Sequence, residues 1–274
     1  MKKDIEKNSE PVDIPILDGF YDCEPFLTPE KAIGQKQGKE YAVAKIIQEQ
    51  GIKTVVLNWL PPHKLHLAES ILSKCKHIMQ STLGEMYLHN DKVLLLFLPI
   101  GAPNAAASVE ELRWMGITNF IAMGSAGCID ERFDESKILV VDRAIRDEGT
   151  SYHYIPPATY IEPDKDLTRQ LCDFLKTKDI KFERGTTWTT DAFYRETKSR
   201  IAKRKSQGAI AVEMESSALA AVCKFHNLKF CQFLYFSDIV KQDNWSWRGT
   251  RESRHEIRAQ LIELALEFAK TLYI

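Results

Sequence analysis

Three carboxylates stand where apolar runs stop. In Ala209-Ile-Ala-Val-Glu-Met-Glu-Ser-Ser-Ala-Leu-Ala-Ala-Val-Cys223, a β-type run ends in Glu213 and Glu215 and passes directly into an alanine-rich helical pattern. Asp238 closes the next apolar run, in Phe236-Ser-Asp-Ile239. In α/β proteins the rim at the carboxyl ends of the strands is where ligands bind. An ionised carboxylate only accepts hydrogen bonds and has several lone-pair sites. Glu215 could therefore take two adjacent hydroxyls at once, as the 2′ and 3′ groups of a ribose offer, and Asp238 would then serve a leaving base. The competing readings are a cap for the following helix near Ser216 and Ser217 for Glu215, and a loop-ordering side chain for Asp238.

The surrounding pattern supplies a scaffold for such a rim. Residues 41–50 read as a helix, 54–59 as a buried strand, and 64–74 as a helix entered through Pro61-Pro62. A strand at 92–98 stops at Pro99-Ile-Gly-Ala-Pro103 before a helix at 105–115. A strand at 118–123 then runs into Gly124-Ser-Ala-Gly127, which reads as a tight turn. Further strands are expected at 138–145, 182–188, 210–213 and 229–236. Ile257, Leu261, Leu264, Ala265, Phe268 and Leu272 form the stripe of a closing amphipathic helix. Residues 1–34, with Pro11, Pro15, Pro25 and Pro29, read as an irregular arm, and 35–274 as one domain. The fold class is α/β with a largely buried central sheet.

Composition narrows the partners. The 274 residues are 44% hydrophobic and 27% charged, with a net charge of -1, so no electrostatic footprint for nucleic acid or an anionic membrane exists. No apolar run reaches the ~20 residues that cross a bilayer, and the polar, mixed-charge start does not resemble a signal peptide. A small molecule is the expected partner and the cytoplasm the expected compartment. Cys23, Cys75, Cys128, Cys172, Cys223 and Cys231 are widely spread and contain no C-x-x-C pair, which reads as free thiols. His63 and His66 lack acidic or cysteine neighbours, so no metal and no organic cofactor are expected.

Five stretches in this order and at these separations, Gly101-Ala-Pro103, Gly124-Ser-Ala-Gly127, Thr189-Thr-Asp-Ala-Phe-Tyr194, Val212-Glu-Met-Glu215 and Ser237-Asp238, resemble the nucleoside phosphorylase superfamily. The resemblance runs from about residue 55 to the C-terminus. It implies a three-layer α/β/α sandwich around a mixed, partly barrel-like sheet, and cleavage of the N-glycosidic bond of a nucleoside. Phosphate is the nucleophile in the phosphorylases and water in the nucleosidases. Both routes pass through an oxocarbenium-like sugar, so positive charge on the ribose and negative charge on the base need stabilising. By the resemblance, Glu215 holds the ribose hydroxyls, Met214 packs beneath the sugar, Phe193 stacks on the base, and Asp238 stands where purine-acting members carry the acid that donates to the base. Assembly as a dimer or hexamer is implied as well.

Residues 145–154 instead resemble uridine phosphorylases. The glutamine and arginine that read uracil there are not matched after Phe193-Tyr194, where the chain has Arg195-Glu-Thr-Lys198. A purine is favoured on balance. On the nucleophile side the expected arginines are missing: Trp59 and His63 fall near a glycine and an arginine, Met79 near a second arginine, and Ala122 replaces a third. Losing three guanidinium groups removes bidentate, permanently charged contacts to phosphate. The remaining candidates are Gly124 and Ser125, read as an anion cradle at a helix N-terminus, with His63, Lys64, Arg146 or Arg195 as replacement cations. Phosphorolysis, with inorganic phosphate as co-substrate, is placed first. A hydrolase with His63 or Glu85 activating water comes next, and a nucleoside-binding protein without turnover last.

Overall fold

The computed structural model describes residues 14–19, 21, 24–34, 38–59, 69–81, 84–241 and 244–273. The runs that are apolar on both sides become the buried strands β1 (Thr54–Asn58) and, after the hairpin β2 (Cys75–Ser81) and β3 (Gly84–His89), β4 (Val93–Phe97). Next come β5 (Asn119–Cys128), β6 (Ile138–Asp147), the short β7 (Tyr160–Ile161), β8 (Phe182–Thr190) and β9 (Ala209–Glu213). β10 (Lys229–Lys241) and β11 (Asn244–Trp247) complete the sheet. The helices are α1 (Pro29–Ile33), α2 (Lys39–Glu49), α3 (Glu69–Leu72), α4 (Ala102–Met115), α5 (Lys165–Thr177), α6 (Lys198–Ser206), α7 (Ser216–Phe225) and α8 (Arg251–Thr271).

All strands join one mixed sheet. β1 lies between β4 and β5, both parallel to it, and the β3–β2 hairpin extends the edge beyond β4. At the other end the sheet closes on itself. β5 pairs with β10, β10 with β6, β6 with β8, β8 with β9, and β9 returns to β5. This five-strand ring is the barrel-like part the resemblance implies. Helices α2, α4 and α7 cover one face through Val43, Ile47, Val109, Leu112, Leu219 and Val222. Helices α5 and α8 cover the other through Leu167, Leu171, Ile262, Leu266 and Phe268. The architecture is the expected three-layer sandwich, and double coverage explains why β1 and β4 are buried at every position.

Three local expectations need correction. Gly124-Ser-Ala-Gly127 is not a turn: β5 runs straight through it, pairing residues 124–126 with Leu234, Tyr235 and Phe236. Its small residues serve close approach, since a Cβ on Gly127 would lie 3.1 Å from Val212 Cγ1 and 3.2 Å from Asp238 Oδ2. Asp238 does not follow its strand but lies within β10, beside a bulge after Phe236. The β2–β3 hairpin was not anticipated, because its strands mix polar and apolar residues without clean alternation. Of the helix expected at 64–74, α3 covers 69–72, Ser73 and Lys74 form a turn, and 64–68 lie outside the described residues. In the described part of the arm, α1 begins at Pro29 and packs against α4.

Candidate active site

β9 gives way to α7 at Glu213-Met214-Glu215, and the two glutamates have different duties there. Glu213 Oε1 accepts from the hydroxyls of Thr189 (2.6 Å) and Thr187 (3.3 Å), both on β8. Its Oε2 accepts from the backbone N–H groups of Glu215 and Ser216, each at 2.7 Å. The helix cap weighed for Glu215 is therefore supplied by Glu213. Four donors around one buried carboxylate compensate its desolvation, and burial is still the largest influence, raising its pKa.

Glu215 reaches instead to the start of α4, where its Oε1 accepts the Gly101 N–H at 2.7 Å. Gly101 has φ 119° and ψ 143°, a conformation that favours glycine, and Pro103 follows in the first turn of α4. The Gly101-Ala-Pro103 motif thus aims a backbone donor at the carboxylate. Burial foremost, and then the adjacent Glu213, push the Glu215 pKa well up. Hydroxyls donating to Glu215 would favour its ionised form and oppose that shift. Met214, between the two glutamates, is half-buried.

Gly127 links this corner to the base side, because it pairs with Val212 of β9 and with Asp238 of β10. Asp238 is half-buried and accepts hydrogen bonds from the Ser237 hydroxyl (2.8 Å) and the Trp245 indole N–H (2.9 Å). Trp245 meets Trp247 edge-on at 4.8 Å, both rings are half exposed, and their strand β11 pairs with β10 at Asp238. Phe193 is 49% exposed in a single 3-10 turn and stacks at 4.0 Å on the more exposed Tyr194, which leaves aromatic surface open beside the site. Glu196, three residues on, was not singled out in the sequence. Burial, and next the charge of Asp238, push its pKa to about 7. Its only advance signal was its place in Arg195-Glu-Thr-Lys198, where uracil readers were expected and absent.

The nucleophile side differs most from expectation. With β5 unbroken, no helix starts at Gly124 or Ser125, and the anion cradle at a helix N-terminus is withdrawn. Gly124 faces Trp59, to whose ring a Cβ would come within 3.4 Å, and the Ser125 side chain is exposed. Arg146 is corrected as a phosphate candidate. It is buried, donates to Ser151 Oγ (2.9 Å) and to the carbonyls of Pro156 (2.6 Å) and Ile155 (3.1 Å), and stacks over Tyr152 at 4.3 Å. Its guanidinium holds together the loop after β6. Arg195 sits in the exposed turn beside Phe193. His63 and Lys64 lie outside the described residues. Ala122 and Met79 are buried in the apolar core. Glu85, on β3, accepts from the Tyr87 hydroxyl. Its strand stands three away from β5, about 14 Å at usual strand spacing, so Glu85 is not placed to activate water beside Ser125.

A cavity of about 340 Å³ opens on the flank of the Glu215 corner, lined in part by Asp147, Glu148, Tyr152, Asp191 and Arg200. That volume lies in the range of small-molecule sites. Asp191 accepts from Gly149 N (2.8 Å), and its charge contributes to the raised Glu215 pKa. Glu148 ties this wall to α7 by accepting from Ser151 N and from the Ser217 hydroxyl. Among the described residues no cluster of three or more metal-ligating side chains is found, and the five described cysteines are free thiols.

The profile of the phosphorylase superfamily matches residues 65–272. A purine nucleoside phosphorylase, DeoD-type 1, from Shewanella oneidensis is 25% identical over 223 residues, covering 79% of this chain and 93% of that enzyme. A uridine phosphorylase from Haemophilus influenzae is 27% identical over 157 residues, or 52% of this chain and 62% of that enzyme's length. An uncharacterized protein, R802, of Acanthamoeba polyphaga mimivirus is 25% identical over 81% of this chain and 87% of its own length.

Proposed function

This chain belongs to the phosphorylase superfamily, and from that premise we propose that it cleaves the N-glycosidic bond of a nucleoside by phosphorolysis, releasing free base and ribose 1-phosphate. It is an enzyme of the nucleoside phosphorylase type. The observation that carries the reading is that the strand leading into Glu215 and the strand carrying Asp238 both pair with Gly127. Glu215, two residues past the end of β9, is buried and tied to Gly101, while β9 pairs with Gly127 at Val212 and β10 pairs with it at Asp238. In the resulting mechanism Glu215 accepts the ribose hydroxyls and holds the sugar as positive charge develops on it. Asp238 faces the heterocycle and manages the proton that lets it leave. Phe193 supplies a stacking face and Met214 packs beneath the sugar.

A purine is favoured over uracil. Glu196 lies close enough to Asp238 to feel its charge, which gathers two acids on the base side, and the glutamine and arginine that read uracil are not matched by Arg195-Glu-Thr-Lys198. The protein acts as a homo-oligomer in the cytoplasm in this reading, without an organic cofactor or metal. The test is incubation with purine and pyrimidine ribonucleosides, with and without inorganic phosphate. Phosphate-dependent release of base with ribose 1-phosphate supports the proposal. Free ribose at a rate independent of phosphate overturns it in favour of hydrolysis, and tight binding with no product in favour of a binding protein.

A further inference from the structure

The inward stripe of α8 changes character along its length. From Leu261 and Ile262 through Ala265, Leu266, Phe268 and Ala269 it is buried and apolar. In the two turns before that, the same helix carries Arg251, Arg254, His255 and Arg258, at spacings of three, one and three. Residues so spaced share one side of a helix. Arg258 Nε donates to the phenol oxygen of Tyr235 on β10. Tyr235 pairs with Ser125 across the β10–β5 ladder, and the Ser125 hydroxyl is one of the groups that influence the Tyr235 phenol. Arg254 donates to the carbonyls of Arg248 (3.3 Å) and Gly249 (3.0 Å) and stacks over Trp247 at 4.6 Å. The buried Nδ1 of His255 has no hydrogen-bond partner among the described residues.

We propose that this stripe is the phosphate site, with Arg258 and Arg251 binding the oxyanion beside Ser125 and Arg254 and His255 shaping its wall. Three guanidinium groups within about two turns repel one another. Among the described residues none of them forms an ion pair with a carboxylate. An anion would resolve both that imbalance and the orphaned imidazole nitrogen. Spacing agrees with the chemistry. Ser125 and Gly127 are two residues apart on one face of β5, about 7 Å, with Tyr235 beside the first and Asp238 beside the second. An oxyanion at Ser125 and a base at Asp238 leave room for one sugar between them. The guanidinium charge absent at Ala122 is thus returned from a different element.

This inference rests on the phosphorolysis reading, and the test separates the two. Arg258→Met, Arg258→Lys and the exposed Arg251→Ala are compared with the parent for KM of inorganic phosphate, KM of nucleoside, and the rise in unfolding temperature that inorganic phosphate produces without nucleoside. The expected result is a phosphate KM at least tenfold higher in Arg258→Met, smaller increases in Arg258→Lys and Arg251→Ala, a nucleoside KM within twofold of the parent, and a thermal response to phosphate that shrinks in the same order. If the parent forms only free ribose, phosphorolysis fails, and the site still stands on a phosphate response that Arg258→Met abolishes. Equal phosphate responses in all four proteins, by KM or by unfolding temperature, overturn it.

Discussion

The β9–α7 corner and the β5–β10–α8 edge are built from similar polar residues but left in opposite states. At the corner Glu213 meets four donors, and Glu215 meets the Gly101 N–H. At the edge, Ser125 is exposed, His255 Nδ1 has no described partner, and three arginines stand on α8 at helical spacing with no carboxylate ion pair among the described residues. The first region is finished by folding alone, whereas the second has charge and donors to spare. The contrast divides the work: a preorganised grip for the sugar, and an incomplete anion site that its ligand completes. Preorganised donors cost no reorganisation at the moment of reaction, while a charged co-substrate can be held by groups that wait for it.

The largest test of the corner is Asp238→Asn, expected to lower kcat/KM by about 10²–10⁴-fold, the usual worth of a positioned proton-transferring group. Steady-state kinetics on the preferred nucleoside measure it. Glu215→Gln should lower kcat/KM by about 10–100-fold, the scale of hydrogen bonds to a charged group, with little change in unfolding temperature. Its neighbour should behave in reverse. Glu213→Gln leaves backbone and threonine donors unmatched and should cost about 2–3 kcal/mol of stability, seen as a fall of several degrees in unfolding temperature. Equal effects of the two substitutions on stability would erase the distinction drawn between them.

A subtler test concerns pH. Glu196 keeps its proton to about 7 in the folded protein, above the ordinary glutamate range near 4.3. The folded chain therefore binds more protons than the unfolded one between those values, so this group's contribution to stability falls as pH rises through that window. Glu196→Gln should flatten that slope in unfolding scans and remove an inflection near neutrality from the pH profile of kcat/KM. The smallest expected effect is that of Trp245→Phe. It removes the indole donor from Asp238 and should change kcat by a few-fold, about the worth of one ordinary hydrogen bond.

Much of this was legible in the sequence, for identifiable reasons. Uninterrupted apolar runs announced β1 and β4, and the apolar stripe announced α8, because double coverage and helical periodicity leave direct traces. Glu213 and Glu215 stood out as charge at the end of a buried run, but which one caps α7 depends on Thr187 and Thr189 of β8, which sequence spacing does not bring near. Gly124-Ser-Ala-Gly127 looked like a turn because glycine marks turns and close packing alike, and only the pairing with β9 and β10 distinguishes them. Arg146 resembled a phosphate ligand until Ser151, Ile155 and Pro156 were seen to occupy it. The arginines of α8 were hidden in a helix read only for its apolar stripe, and they gain meaning only where Tyr235 carries them to Ser125.

The central claim is that Glu215 grips the ribose hydroxyls. It is tested most directly by comparing kcat/KM for a ribonucleoside and its 2′,3′-dideoxy counterpart in the parent enzyme and in Glu215→Gln. The parent should prefer the ribonucleoside by about tenfold or more, the worth of one hydrogen bond to a charged acceptor, and the variant should show little preference. An undiminished preference in Glu215→Gln would contradict the account.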